Sequence, residues 1–455
     1  MKNQLWAEKL AAWRDKRLAV LGLGVSNRPL VRLLLRSGCR VVGCDRTPRE
    51  KLEPEVLELE QMGCSLRLGD GYLEHLSADV VFRTPGMHPA TPELEALRRQ
   101  GAEITSEMEI FFECCPCTLI GVTGSDGKTT TTTLIARMLT EAGKKVWLGG
   151  NIGTPLLPEL EQMCPEDYAV VELSSFQLMD MRRSPHIAVI TNLAPNHLDV
   201  HRDMAEYVQA KKNIFRFQSP EDTLILNRDN AITDSFTGPG TTLRFSRVEP
   251  TGGVWVQDGV IRSPEGPILA TADILIPGVH NVENYMAAIL AVREWVPDDV
   301  IRRVAKSFGG VEHRIELVRV RDGVRYYNDS IASSPSRTIA GLRSFPEKVI
   351  LIAGGYDKHI PYDVLGPEIC THVKKLILNG ATAPKIRAAV EQAPDYRPGS
   401  PEIMDCPDLD AAIDAAVRAA VPGDTVLMSP ASAAFDQFKN FMVRGNFFKK
   451  KIGAL

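Results

Sequence analysis

No run of about 18 consecutive apolar residues occurs in the 455-residue chain, so no membrane-spanning helix and no membrane insertion are expected. Excess positive charge is missing as well: 53 Lys and Arg stand against 57 Asp and Glu, a net charge of −4. A chain without a basic field is not built for nucleic acid. The opening residues carry Lys2, Glu8 and Lys9 and lack the apolar core of a secretion signal. A soluble, cytoplasmic protein is expected. Nine cysteines, an odd number scattered along the chain, read as reduced thiols rather than a disulfide framework. Cys114-Cys115-Pro116-Cys117 has no second Cys/His pair at metal-binding spacing, which favours a structural role over a metal site. The length excludes one ordinary core, and about three domains are expected.

What the chain does contain is Gly121-Val122-Thr123-Gly124-Ser125-Asp126-Gly127-Lys128-Thr129-Thr130. Residues 117–120 before it read as a buried strand, and residues 131–139 after it have a helix's apolar spacing. Strand, glycine-rich turn, Lys-Thr and helix form the layout that cradles nucleotide phosphates. Backbone N–H groups and the helix N-terminus face the anion, Lys128 meets the outer phosphates, and Thr129 is placed to hold Mg²⁺. Gly124, Ser125, Asp126, Gly127 and Thr130 complete the cradle. Its loop is shorter than the usual spacing, with Val122 where the first glycine would stand. A plain glycine turn in a βα unit is the alternative, and Gly-Lys-Thr-Thr at a strand-to-helix junction argues against it.

Upstream, residues 17–21 form a strand that turns through Gly22-Leu23-Gly24-Val25-Ser26-Asn27 into a helix. A second strand, residues 39–44, ends at Asp45, so the unit is similar to a dinucleotide fingerprint with an acid poised for a ribose hydroxyl. Asn27 replaces the third glycine, which leaves close helix–strand packing unspecified. Residues 78–82 make another strand, followed by Arg83-Thr84-Pro85-Gly86, a turn with backbone open to a ligand. A nicotinamide-dependent oxidoreductase is one reading of this segment, and a plain βαβ unit is another.

Downstream, Asn151 lies on the loop Gly149-Gly150-Asn151-Ile152-Gly153, and the strand 168–171 ends in Glu172, where a Mg²⁺-supporting carboxylate belongs. The strand 187–192 opens into a segment with His197, Asp199 and His201, placed for metal or substrate. Asp203 to Glu206 reads as a capping box for a helix carrying Tyr207, Lys211 and Lys212. Residues 219–277 read as connections and small antiparallel strands. Asn281 and Asn284 lie three apart at a helix start, placed for an anion or a base, with capping by Asn281 as the alternative. Past His313-Arg314, where Arg314 can reach back to phosphates, four strand-like runs alternate with helical patterns as a further open α/β sheet. Its strand ends carry Asp329, Ser330, Asp357, Lys358 and Ser429.

These motifs, with Glu172-Leu173-Ser174-Ser175-Phe176-Gln177-Leu178, His280-Asn281-Val282-Glu283-Asn284, Asn328-Asp329-Ser330 and Ser429-Pro430-Ala431 through Asp436-Gln437-Phe438, identify a chain that resembles the Mur ligase family of peptidoglycan synthesis over essentially its full length. The Ser-Ser-Phe-Gln and Ser-Pro-Ala stretches resemble the D-glutamate-adding members. The resemblance implies an α/β protein of three domains. Residues 1–112 would form a Rossmann-like domain for the UDP-sugar, 113–312 a P-loop ATPase-like central domain with a parallel sheet, and 313–455 a Rossmann-like domain for the amino acid.

It also implies an ATP-dependent ligase that adds D-glutamate to UDP-N-acetylmuramoyl-L-alanine through an acyl phosphate, and so serves cell wall synthesis, cell shape and division. Gly24, Val25, Ser26, Asp45, Arg46, Thr47, Gly86 and Asn151 match residues that bind the uridine substrate. Lys128, Thr129, Asn281, Asn284, Arg314 and Asp329 match residues that serve ATP. Thr129, Glu172 and His197 match residues that serve two Mg²⁺ ions, and Lys211 fits a carbamylated lysine bridging to the second metal. Lys128, His197 and Lys211 are the implied catalytic set, and a monomer is expected. Two departures stand out: Ser125-Asp126 replaces the family's Thr-Asn, and Ile331 replaces a lysine after Asp329-Ser330. Arg337 or Lys358 is left to supply that charge, with Lys358, Ser333 and the backbone from Ala434 to Phe441 as candidates for the two carboxylates of D-glutamate. Another Mur or folylpolyglutamate synthase-like ligase, and a nucleotide-dependent scaffold, are the remaining alternatives.

Overall fold

Residues 3–195 and 201–455 are described by the structure, a computed structural model. The α/β fold is built on three parallel-rich sheets. Two compact units are present: Met1–Ala270 with Glu283–Val304, and Thr271–Val282 with Ala305–Leu455. The first two sheets belong to the former and the third to the latter.

The first sheet is parallel throughout, in the order Ser65–Leu68, Arg40–Asp45, Arg17–Leu21, Val80–Phe82, Glu103–Thr105. Leu21 pairs with Cys44 and Val20 with Phe82. The strands therefore finish together, and Gly22, Asp45 and Arg83 emerge at one edge. Carboxyl ends of parallel strands share an edge, and the crevice there is the natural ligand site. Asn27 supplies the close packing that a third glycine would have given. It is 3% exposed, and its side-chain amide donates to the carbonyls of Leu21 (3.0 Å) and Gly22 (2.9 Å). Trp13, buried beneath, meets Phe82 edge-on with ring centroids 5.4 Å apart.

The central sheet has nine strands among the described residues. Thr118–Thr123 lies between Tyr168–Glu172 and Ile187–Ile190, all parallel, with Val122 beside Glu172 and Thr123 beside Ile190. Every residue of Tyr168–Glu172 is buried, as expected for a strand covered on both faces. The stretch 219–277 departs from expectation. Thr223–Asn227 and Thr241–Ser246 continue the parallel sheet, and only Val254–Gln257, Val260–Ser263 and Gly266–Ala270 form the antiparallel flank. Leu224, Ile225 and Leu226 are buried like any central strand, although turn residues surround them.

The third sheet runs Glu316–Arg321, Val324–Asn328, Thr425–Met428, Val349–Ala353, Val373–Leu378, Glu402–Asp405. Its two edge strands are polar and mostly unburied, so no apolar run marks them in the sequence. Among the described residues no helix is long and apolar enough to cross a membrane.

Removing the Asn27 amide leaves one buried and one partly buried carbonyl without this donor. Asn27→Ala is expected to lower stability by about 1–3 kcal/mol, read as the free energy of urea unfolding.

Candidate active site

In the central sheet the register brings residues 124, 173 and 191 out at one edge. Gly124 has φ +149°, and a β-carbon there would lie 1.9 Å from the Thr191 hydroxyl. Gly127 has φ +78°, caps the helix Lys128–Glu141, and leaves room for Asn284, whose Oδ1 would be 2.3 Å from an added β-carbon. Both glycines are thus required by conformation and by space. Asn284 also accepts from the Thr131 hydroxyl at 3.2 Å. Lys128 Nζ donates to the carbonyls of Gly124 and Ser125, both at 2.9 Å, so its ammonium lies over the loop. Ser125 turns inward: its hydroxyl is 2.9 Å from Tyr207 Oη and accepts from Ala194 N at 2.9 Å. Asp126 N donates to Asn192 Oδ1. Thr129 and Thr130 open the helix.

Behind the loop lie two buried charged side chains, Glu172 and Lys211, each 1% exposed. Glu172 Oε1 accepts from Asn151 Nδ2 at 2.8 Å. Among the described residues its Oε2 has no hydrogen-bond partner, although it is buried. An anionic oxygen left so is costly unless a cation meets it. A carboxylate oxygen beside the Lys-Thr of a phosphate loop is the donor Mg²⁺ prefers, so these residues fit the ion. Lys211 Nζ donates to Thr123 Oγ1 at 3.0 Å and lies 5.1 Å from the Tyr207 ring centroid. Burial pushes its amine well below the usual lysine range, Lys128 pushes the same way, and Glu172 and Asp126 oppose. His197 lies outside the described residues. The expected capping box at Asp203 is half formed: Asp203 accepts from Glu206 N, but Glu206 turns to Arg202 N. A full box is instead built by Ser174 and Gln177.

At the edge of the first sheet, Asp45 accepts from Leu23 N (2.7 Å) and Thr47 N (2.8 Å). Burial raises its carboxyl, but these amides together with the Thr47 hydroxyl and Arg46 hold it below its ordinary value. Gly22 has φ +77°, and a β-carbon there would meet the Thr84 side chain at 3.0 Å, so the two turns abut. Added β-carbons at Gly24 and Gly86 would meet nothing within 4 Å, and Val25 and Arg46 are exposed, which leaves this rim open. Ser26 precedes the helix Asn27–Arg36. Asn151, expected on the uridine side, donates to Glu172 Oε1.

In the second unit, Asp329, Ser429 and the segment 354–358 emerge together, since Asn328 and Ile352 both pair with Met428. Asp329 is buried, accepting from Ser429 Oγ (2.7 Å) and Ile315 N (3.2 Å). Burial pushes its carboxyl up to about 7, against the Ser429 hydroxyl, the Ile315 amide, Arg314 and Arg337. Arg314 sits between His313 (φ +64°) and Ile315 (φ +43°), and the His313 ring fills the space over Gly445. Asn281 Nδ2 donates to Pro277 O at 2.6 Å. Ser333 is half-buried and Lys358 exposed. Sequence reasoning missed Arg444, 3% exposed, which donates to Ser330 O, Ser432 O and Ala433 O and so sets the backbone leading to Ala434. Burial lowers its guanidinium to about 10, with Asp436 and Asp329 opposing. Ser330 Oγ in turn donates to Phe441 O at 2.8 Å. A lone arginine in a basic helix gives no signal of this.

Residues 122–292 match the Mur ligase middle domain and residues 313–432 the Mur ligase, glutamate ligase domain. The chain belongs to the Mur ligase family and is an enzyme of the ligase class. Relatives named UDP-N-acetylmuramoylalanine–D-glutamate ligase match nearly the whole chain. That of Acetivibrio thermocellus is 53% identical over 452 residues, 97% of each chain. That of Ruminiclostridium cellulolyticum is 49% identical over 452 residues, again 97% of each. The fold is shared with the UDP-N-acetylmuramate-alanine ligase of Thermotoga maritima, at a TM-score of 0.58 and 16% identity over 96% of this chain and 99% of that one.

The raised carboxyl of Asp329 favours unfolding as pH rises. Its contribution is full below its ordinary 3.8 and is lost between there and about 7. Asp329→Asn is expected to remove a stability slope of about 1.4 kcal/mol per pH unit over that window, measured as the wild-type minus variant difference in urea unfolding at two pH values.

Proposed function

We propose that this enzyme joins D-glutamate to UDP-N-acetylmuramoyl-L-alanine at the expense of ATP, through an acyl phosphate, in peptidoglycan precursor synthesis. The observation that carries the reading is 53% identity, across 97% of the chain, to a relative of that name. Residues 1–112 bind the UDP-sugar, 113–312 bind ATP and 313–455 bind the amino acid; each span holds one of the three sheets. All the residues assigned lie on one chain, so a monomer suffices. A cytoplasmic location goes with the nine free thiols.

A carboxylate and an amine do not condense at neutral pH, because each is in its unreactive charged form. The L-alanine carboxylate attacks the γ-phosphate and ADP leaves, giving the acyl phosphate; the deprotonated D-glutamate amine then attacks the acyl carbon, inorganic phosphate leaves and the amide nitrogen sheds its extra proton. Lys128 and the amides of residues 124–130 absorb charge on the moving phosphoryl group. Asn284 and Asn281 with Arg314 and Asp329 hold the nucleotide. Thr129, Glu172, His197 and a carbamylated Lys211 would hold two Mg²⁺ ions, which when bound neutralise phosphate charge. The lowered amine of Lys211 supports carbamylation, since only a neutral amine adds to CO₂ and releases a proton. Lys358, Ser333 and the amides near Ala434 and Phe441 take the two carboxylates of D-glutamate, while residues 24–26, Asp45 to Thr47, Gly86 and Asn151 line the uridine side.

Phosphate release measured over a panel of D- and L-amino acids, with UDP-N-acetylmuramoyl-L-alanine as acceptor, is expected to show turnover with D-glutamate alone. Turnover with L-glutamate and none with D-glutamate would overturn the assignment. In the same assay Lys128→Ala should lose on the order of a thousandfold in kcat.

Lys211→Ala is expected to be inactive and to recover part of its activity when a short carboxylic acid is added. Normal turnover without the acid would exclude the carbamate.

A further inference from the structure

We infer that Arg83 is a positioning residue that ties the sugar-nucleotide turn to the loop following Glu172, and thereby sets affinity for the UDP substrate. The inference rests on the reading above that Gly86 faces that substrate.

Arg83 leaves the end of Val80–Phe82 and is 1% exposed, among the largest fully buried side chains of the described residues. A buried cation is costly unless its donors are met. Here they are met in two directions. Nη1 is shared among the carbonyls of Thr84 (3.1 Å), Pro85 (3.4 Å) and Met87 (2.6 Å), the residues around Gly86. Nη2 donates to Phe176 O at 3.1 Å, and Nε to Asp180 Oδ2 at 3.0 Å, with Nη2 closing the second arm to Asp180 Oδ1. One guanidinium thus holds the turn on one side and the Ser-Ser-Phe-Gln segment on the other.

The second side is itself anchored to the catalytic edge. Glu172 begins that segment, and Leu173 N donates to Val122 O while Leu173 O accepts from the Thr123 hydroxyl. The Phe176 ring stacks on His201 at 5.5 Å and 8°, and His201 Nε2 is 2.9 Å from Ser175 Oγ. A guanidinium suits the bridging position because its planar fork presents five donors in fixed directions. Lysine has three donors at one point and cannot reach both loops.

The test compares Arg83→Lys, which keeps the charge and loses the fork, with the double variant Arg83→Met/Asp180→Leu, which removes the charge pair together and so avoids an orphaned ion. KM is measured for UDP-N-acetylmuramoyl-L-alanine, ATP and D-glutamate, with the Kd of MgATP by calorimetry and Tm alongside. The expected result in both variants is a KM for the UDP substrate raised on the order of 10- to 100-fold, with KM for D-glutamate and Kd for MgATP within about twofold. A UDP-substrate KM unchanged in both variants overturns the inference. So does a parallel loss in all three substrates and in MgATP affinity, the mark of a role in folding alone. Wild-type turnover is the reference for the function itself, so loss of the positioning effect and loss of the function reading are separate results.

Discussion

At Gly124 the hydroxyl of Thr191 occupies the place where a β-carbon would project, and it donates to the Asp126 carbonyl at 2.5 Å. Asn284 does the same at Gly127. The phosphate loop therefore owes its shape to side chains arriving from a neighbouring strand end and a distant helix, not only to its own glycines. That close approach is possible because Thr118–Thr123 and Ile187–Ile190 run parallel and end in step. Lys128 is then laid over the loop carbonyls, where an anion's arrival exchanges one set of oxygens for another.

Buried charge is the second constraint, and each instance is resolved differently. Arg83 meets carbonyls and Asp180. Glu172 has one oxygen satisfied by Asn151 and, among the described residues, one with no hydrogen-bond partner. Lys211 answers burial with a lowered basicity, held by the Thr123 hydroxyl, itself committed to the Leu173 carbonyl. Two of these groups, Glu172 and Lys211, are the ones to which the proposed function gives the metal, in line with the rule that perturbed ionisable groups collect at functional sites.

The second unit repeats the logic with hydrogen-bonded networks in place of glycines. Arg444 holds the carbonyls of Ser330, Ser432 and Ala433, and the Ser432 hydroxyl is shared with Tyr362 and Thr382 at 2.8 Å each. Such a network keeps a loop in one conformation when all its members are satisfied. The loop it fixes is the stretch with backbone assigned to the amino acid.

The α/β class, the phosphate loop, the apolar strands and the acids at their ends were legible from residue order alone, since strand and helix periodicities and a Gly-Lys-Thr junction are local properties. Family motifs extended that to the ligase reading. Other features depended on residues distant in the chain. Asn27 reads as a lost glycine until its amide is seen on Leu21 and Gly22. Thr223–Asn227 and Thr241–Ser246 read as connections because turn residues crowd them, and pairing made them sheet. Ser174 and Gln177 belong to a family motif in the sequence, and in space they cap a helix turn. Asn151 turns to Glu172, and Arg83 and Arg444 are single charges with no motif around them. What decided each of these was burial: a polar group removed from water must find its partner wherever the fold brings one, and no local pattern records where that is.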